Sequence, residues 1–311
     1  MIVADDAVLV GDVGGTHARF GLWRGGALVD RAAWPTSALP TLTGCVERLR
    51  AGWRFARVSV AVAGPVVGRR AALTNAGWVA DLDELDEEGL LINDLEAAAW
   101  GCGAGQPEDL RLLTGEDPGR QGDAVVVGVG TGLGQALWIG EGRAIPGEGG
   151  HAYFAARDAA ERRLAAFIEA ELGRPVEVED VLSGTGIGRI AAWIAAEGGG
   201  EALPVADRTG LGRWVVAEQG QHPVARAAAA TFWSLLAGEL RNVALRTLPA
   251  RGLFVVGGLA PRLLPSADFS AFKHRLEGEG PLAWRLRDLA VQLVDDDALA
   301  LRGAAAAAER R

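Results

Sequence analysis

Asp94 stands directly after Asn93 at the end of the apolar run Leu90-Leu91-Ile92, and a helix-forming run, Ala97 to Cys102, begins shortly beyond it. A carboxylate at the C-terminal end of a strand occupies the place where ligands sit in α/β sheets. There it can serve as a general base, taking a proton from an attacking hydroxyl while the Asn93 amide holds that hydroxyl by hydrogen bonds. The plainer use of Asp94 is as the N-cap of the helix that follows. A second cluster, Pro146-Gly147-Glu148-Gly149-Gly150-His151, offers an acceptor carboxylate and an imidazole that donates or accepts, the mixture a polyhydroxylated ligand needs. Glu148 and His151 read equally well as surface loop residues, and a metal reading needs helical spacing and partners that the sequence does not offer. Glu179, in Val178-Glu179-Asp180-Val181-Leu182-Ser183-Gly184, fits an acidic helix start, and Thr74-Asn75 ahead of Trp78 reads first as a simple turn that can also supply polar groups.

Two glycine-rich segments share one grammar: Val10-Gly11-Asp12-Val13-Gly14-Gly15-Thr16-His17 near the start and Val127-Gly128-Val129-Gly130-Thr131-Gly132-Leu133-Gly134 in the middle. In each, a β-branched run enters a turn holding a threonine and leaves through a second apolar strand, so both are expected to be β-hairpins. Glycines at positive φ would line up backbone N–H groups into an anion-binding concavity, with the threonine hydroxyl as a further donor. Two such hairpins suggest two related half-structures facing one nucleotide. Neither has the GxGxxG spacing of a dinucleotide-binding turn.

These residues need elements to position them. A third strand is expected over Gly25 to Ala33, a helix over Leu39 to Ala51, a strand over Arg57 to Ala63 ending at Gly64-Pro65, and an acidic helical turn over Asp81 to Glu88. Gly103 to Gly122, rich in Gly, Pro and charge, reads as a hinge or crossing segment. Helices are expected over Arg157 to Leu172, Val224 to Leu248 and Gly303 to Arg311, and Leu253 to Val256 as a buried strand turning sharply at Gly257-Gly258. Strands and helices alternate in both halves, the pattern of an α/β protein with mixed sheets.

Composition excludes several classes. The chain has 311 residues, a net charge of −9 and no dense arginine stripe, which argues against a nucleic-acid partner. Lys273 is the sole lysine and lies in neither a Walker A turn nor an early strand, so P-loop and protein-kinase chemistry are excluded. Cys45 and Cys102 are too few for a disulfide framework and read as reduced thiols of a cytoplasmic protein. Met1 to Asp6 is acidic without a cleavable apolar core, and no uncharged stretch approaches the roughly 20 residues of a membrane span.

Taken in order, Gly11-Asp12-Val13-Gly14-Gly15-Thr16, Ile92-Asn93-Asp94, Gly130-Thr131-Gly132-Leu133-Gly134, Pro146 to His151, Glu179 with Leu182-Ser183-Gly184, and Val255-Val256-Gly257-Gly258 with Pro261-Arg262 resemble the bacterial glucokinase family, over about residues 7 to 262. The resemblance implies the ribonuclease H-like actin and hexokinase superfold: two domains of mixed sheets flanked by helices, with a cleft between them. The expected division is 1–104 plus about 296–311 for the small domain and 105–295 for the large one. It implies ATP-dependent phosphorylation of the glucose 6-hydroxyl, with Asp94 as base and Asn75, Asn93, Asp94, Glu148, His151 and Glu179 binding sugar. Gly11, Asp12, Val13, Gly14, Gly15, Thr16, Gly130, Thr131, Gly132, Gly257 and Gly258 would bind nucleotide, with Asp12 holding Mg²⁺ through water. A cytoplasmic homodimer is the usual assembly. Kinases for another hexose or amino sugar, and a non-catalytic sugar-sensing regulator, are the alternatives. His17 replaces the common Asn after Gly-Gly-Thr, Asp295-Asp296-Asp297 replaces a proline-glycine turn, and the missing cysteine-rich zinc site favours the zinc-free branch.

Overall fold

A computed structural model describes residues 7–73, 77–104, 107–117, 119, 121–140, 142–200 and 202–310. Thr74 and Asn75 lie outside them. The chain divides into two compact units: Met1–Glu108 with Ala136–Pro146 and Asp296–Arg311, and Asp109–Gln135 with Gly147–Asp295.

In the first unit, β1 (Val8–Val13), β2 (His17–Arg24) and β3 (Ala27–Pro35) form an antiparallel meander. Helix α1 (Leu42–Arg50) starts where Thr41 accepts from the Gly44 N–H, and β4 (Arg57–Val62) then pairs parallel with β1. A small antiparallel sheet of β5 (Val66–Val67), β6 (Arg70–Leu73) and β7 (Trp78–Asp81) precedes β8 (Glu88–Asn93), which pairs parallel with β4 and runs into α2 (Asp94–Gly103). The expected acidic helical turn shrinks to one 3₁₀ turn, Leu82–Glu84, because β8 already begins at Glu88. Sheet order is β3-β2-β1-β4-β8.

Strand β4 is apolar at nearly every position because both faces of the sheet are covered. On one side Phe20, Trp34, Leu42, Trp78 and Leu82 form a core, with Phe20 and Trp34 stacked at 5.2 Å. On the other lies the helix Leu299–Arg310, whose Ala304 carbonyl accepts from the Ser59 hydroxyl at 2.7 Å. That helix meets α2 backbone to backbone: a Cβ on Gly303 would overlap the Ala97 carbonyl, and one on Gly101 would press on Leu299.

The segment read as a hinge contains a strand, β9 (Leu110–Thr114), at the edge of the second sheet. Its neighbours' Gly, Pro and charge hid five residues whose burial is confined to Leu113 and Thr114. The chain continues with β10 (Ala124–Val129), β11 (Leu133–Ile139), β12 (Arg143–Gly147), α3 (Ala159–Leu172), α4 (Val178–Val181), α5 (Gly184–Glu197), α6 (Arg208–Glu218), α7 (Pro223–Thr247), β13 (Leu253–Val256), α8 (Leu259–Leu263), α9 (Phe269–Glu277) and β14 (Val291–Val294), all in the second unit except Ala136–Pro146 of β11 and β12. Sheet order is β12-β11-β10-β13-β14-β9, with β13 parallel to both β10 and β14. Helices α5 and α6 went unread because their glycines mimic loop composition; Gly188 and Gly212 instead let the two helices touch, each facing a backbone carbonyl of the other. Cys45 and Cys102 are buried and form no disulfide. Among the described residues no helix is long and apolar enough to cross a membrane.

Candidate active site

Register gathers the first set of residues. Val13, Val62 and Asn93 lie in one row across β1, β4 and β8, so the chain leaves all three strands at the same edge. The Gly14-Gly15-Thr16 turn, the Ala63 to Pro65 loop and Asn93-Asp94 therefore neighbour one another, strands being about 4.8 Å apart. Two bonds tie them: Ala63 N–H to the Val13 carbonyl at 2.9 Å, and Asn93 Nδ2 to the Gly64 carbonyl at 3.3 Å.

The cap of α2 is Asn93, not Asp94. Its Oδ1 accepts from the N–H groups of Leu95 at 2.9 Å and Glu96 at 3.3 Å, which fixes the amide while one N–H goes to Gly64. Asp94 is the first helical residue, half-buried, with Oδ1 accepting from its neighbour Leu95 N–H at 2.9 Å.

Asp12 faces Arg19 across the β1–β2 pair, with Arg19 Nη1 3.1 Å from Oδ2. Burial pushes the Asp12 carboxyl up, and the Arg19 charge and hydrogen bond only partly oppose it. Gly11 lies against the Phe20 ring, where a Cβ would intrude. Val13 is fully buried and serves the core. The turn itself is closed by Gly14 N–H to the His17 carbonyl at 3.0 Å and held by Thr36, whose Oγ1 donates to the Gly14 carbonyl at 2.7 Å. Gly15, Thr16 and His17 are exposed, and a side chain at Gly15 would meet open space.

The expectation that positive φ shapes both turns is corrected: Gly14, Gly15, Gly130 and Gly132 all keep ordinary φ, because cross-turn bonds close the loops without a left-handed residue. Of these four only Gly132 is needed for close approach; a Cβ on Gly15 or Gly130 would meet nothing within 4 Å. Gly257 alone among the nucleotide-binding candidates is left-handed, φ +94°, and its Cβ would stand 2.5 Å from the Val129 carbonyl. Since Gly128 pairs with Val256, Gly257-Gly258 and the Gly130-Thr131-Gly132 turn leave adjacent parallel strands side by side.

The second turn is locked from outside. Gly130 N–H reaches the Gly132 carbonyl at 2.9 Å, Gly184 N–H reaches the Gly130 carbonyl at 2.8 Å, and Leu133 N–H donates to Glu179 Oε2 at 2.8 Å. A Cβ on Gly132 would fall on the Glu179 carboxylate, and one on Gly150 on the Leu133 carbonyl. Glu179 is therefore in α4, as its acidic helix start suggested, and also braces the hairpin. Glu148 precedes and His151 ends a 3₁₀ turn, both exposed, with His151 N–H bonded to the Glu148 carbonyl at 3.1 Å. His151 Nδ1 stands 2.9 Å from Glu177 Oε2. That bond raises the imidazole pKa, partial burial opposes it, and the charges of Glu179, Glu177 and Glu148 add to the rise.

Sequence reasoning missed Glu177, although Glu177 and Asp180 have the spacing of a capping box. It also missed Glu239, a buried carboxylate on α7 that accepts from Gln135 Nε2 at 3.2 Å just behind Gly149; no local pattern links residues so far apart. No group of three or more His, Cys, Asp or Glu suited to a metal occurs among the described residues. What the arrangement offers is a half-buried carboxylate beside one exposed glycine turn, and a carboxylate and imidazole cluster beside another.

Known proteins share this plan. The sequence model described as Glucokinase matches residues 9–311. A glucokinase of Sinorhizobium fredii is 32% identical, over 96% of this chain and 91% of that protein. The crystal structure of glucokinase from an Antarctic psychrotroph superposes with a TM-score of 0.85 at 26% identity, covering 98% of this chain and 99% of that one. A ROK-family glucokinase from Streptomyces griseus in complex with glucose and AMPPNP shares the fold, with a TM-score of 0.65 at 22% identity over 98% and 100% of the two chains. With two mixed-sheet units, glycine turns at the strand ends and a family match running almost from end to end, the chain belongs to the glucokinase family of sugar phosphotransferases.

Proposed function

We propose that the chain transfers the γ-phosphoryl group of ATP to the 6-hydroxyl of glucose, with Asp94 as the general base. The observation that carries the assignment is the strand register: Val13, Val62 and Asn93 share one row, which sets the partly buried Asp94 carboxylate at the same sheet edge as the first glycine turn. In this reading the 6-oxygen attacks the γ-phosphorus as its proton passes to Asp94, and the bond to the β,γ-bridging oxygen breaks with its electron pair leaving on ADP. Positioning and charge neutralisation dominate such a transfer, so backbone N–H groups can replace the lysine of other kinases.

Glu148, His151 and Glu179 take sugar hydroxyls, and Asn93 offers the part of its amide not used by Gly64. Asn75 is kept as a sugar contact on resemblance alone. Thr16 and Thr131 with Gly14, Gly15, Gly130 and Gly132 hold phosphates, and Gly257-Gly258, at the strand end beside the second turn, bracket the adenosine. Asp12 fits Mg²⁺: a carboxyl whose ionised form burial disfavours gains from a nearby cation, and Mg²⁺ characteristically keeps most of its waters and takes one or two carboxylates. When bound, the ion neutralises charge on the phosphates. The cytoplasm is supported by two thiols that form no disulfide, and a homodimer by the family resemblance alone.

The test is Asp94→Asn. It should bind glucose and MgATP while turnover falls by about 10² to 10⁴. Near-normal turnover removes the base. Assays with ATP, ADP and polyphosphate, and with glucose, mannose, fructose and N-acetylglucosamine, fix donor and acceptor.

A further inference from the structure

We propose that Glu177 is a positioning residue for His151, holding Nδ1 so that Nε2 meets the sugar; this rests on the reading of His151 as a sugar contact. A carboxylate only accepts, so at 2.9 Å the Nδ1 atom must carry the proton. Nε2 is then an acceptor in the neutral ring and a donor in the charged one, and in both states its direction is fixed.

The pair is built on backbone. Phe154 N–H donates to the Val176 carbonyl at 2.8 Å and Val178 N–H to the Ala152 carbonyl at 2.9 Å, zipping the residues after His151 to those around Glu177, with Tyr153 and Glu177 as bridge partners. Glu177 is pinned in turn. Its N–H donates to Asp180 Oδ2 at 2.9 Å, and Arg174, bonded to Asp180 at 2.8 Å, stands 3.7 Å from Glu177 Oε1. The charges that raise the ring's pKa are carboxylates, Glu148 from its own turn and Glu177 and Glu179 from the segment opposite, with the Arg174 guanidinium beyond Glu177. Two of these are assigned to the sugar. Glu177 is the one whose carboxylate is spent on the imidazole.

Titration of the His151 imidazole by NMR, in the native chain and in Glu177→Gln, reads the pair without turnover. The pKa, raised in the native chain, should fall toward the ordinary histidine value in the amide variant. In kinetics, Glu177→Ala should raise the glucose KM about tenfold with kcat within about threefold, the size expected for one hydrogen bond to a charged group. Glu177→Gln, which still accepts from Nδ1, should recover part of that loss. In a His151→Ala background, Glu177→Ala should add almost nothing. A His151 titration unmoved by Glu177→Gln, or an undiminished KM effect without the imidazole, overturns the proposal and leaves Glu177 as a helix cap. Absence of glucose phosphorylation by the native chain would sink the functional reading instead, a separate result.

Discussion

Asp12 is held where folding disfavours its charge and the proposed chemistry needs it. Its folded-state pKa is raised by burial, so the stability it contributes is present below the unfolded pKa and is lost as pH rises through the folded one. Asp12→Asn removes the buried charge and keeps a polar group of the same size. We expect its Tm at pH 7 to exceed that of the native chain by about 2 °C or more, and the gap to close near pH 4, about the ordinary pKa of an aspartate. MgATP should raise the native Tm and lose much of that effect in the variant, with activity reduced. An equal or lower Tm for the variant at pH 7 would show that the Arg19 pair outweighs desolvation. At this scale the sequence offers Asp94 as a candidate by type and neighbours, whereas Glu148 and His151 read equally as loop residues and Glu179 stands out only through the family resemblance. The division between Asn93 as cap and Asp94 as first helical residue was not legible, because either residue caps well and only the strand register decides which one turns first. Glycine was misread in the same way, since sequence reports that a Cβ is missing but not whether φ or crowding is the reason.

Among elements, the closing helix Leu299–Arg310 shows how an unusual sequence can reach a firm dock. The Asp295-Asp296-Asp297 run that replaces a proline-glycine turn makes a cap: Asp296 Oδ1 accepts from Ala298 N–H at 2.9 Å, Oδ2 accepts from Glu108 N–H at 3.1 Å, and the same carboxylate pairs with Arg302. Asp296 is 2% exposed and Arg302 12%, so removing the acid leaves a buried guanidinium with only the exposed Glu108 for compensation. Asp296→Ala should destabilise by about 3 kcal/mol, the lower end for breaking a buried pair because Glu108 remains. Urea unfolding checks it, and a loss below about 1 kcal/mol would show the cap to be incidental. At the crossing with α2, Gly303→Ala should cost about 1 to 3 kcal/mol, because its Cβ meets the immobile Ala97 carbonyl. Long apolar elements such as β10, α7 and β13 were readable from periodicity alone. Helices α5 and α6 and strand β9 were not: glycines that serve packing look like loop glycines, and a five-residue edge strand has too little buried surface to leave a pattern.

At the scale of the molecule, the two large sheets repeat one order. In each, a hairpin's first strand is flanked by two more strands parallel to it, β4 and β8 beside β1, and β13 and β14 beside β10. The paired glycine turns in the sequence were the outward sign of that repeat. The units differ in how the chain supplies them. The first draws on three separate stretches, its last being the C-terminal helix that covers β1 and β4. It can close only when the whole chain has been made, whereas the second draws nothing from beyond Asp295. Ending the chain at Asp295 would remove Ala304, Ala305 and Ala307, all fully buried, so uncovering the sheet face beneath them, and would deprive the Ser59 hydroxyl and the Arg57 guanidinium of the carbonyls of Ala304 and Ala308. A buried hydroxyl left without its acceptor forfeits about 1 to 3 kcal/mol, and the apolar face is lost besides, against a total stability of only about 5 to 15 kcal/mol. Hydrogen exchange on the shortened chain should therefore find β1, β4 and β8 unprotected while β10, β13 and α7 keep their slow amides. Slow exchange persisting in β4 would mean that the first unit's core is self-sufficient and that the terminal helix only decorates it.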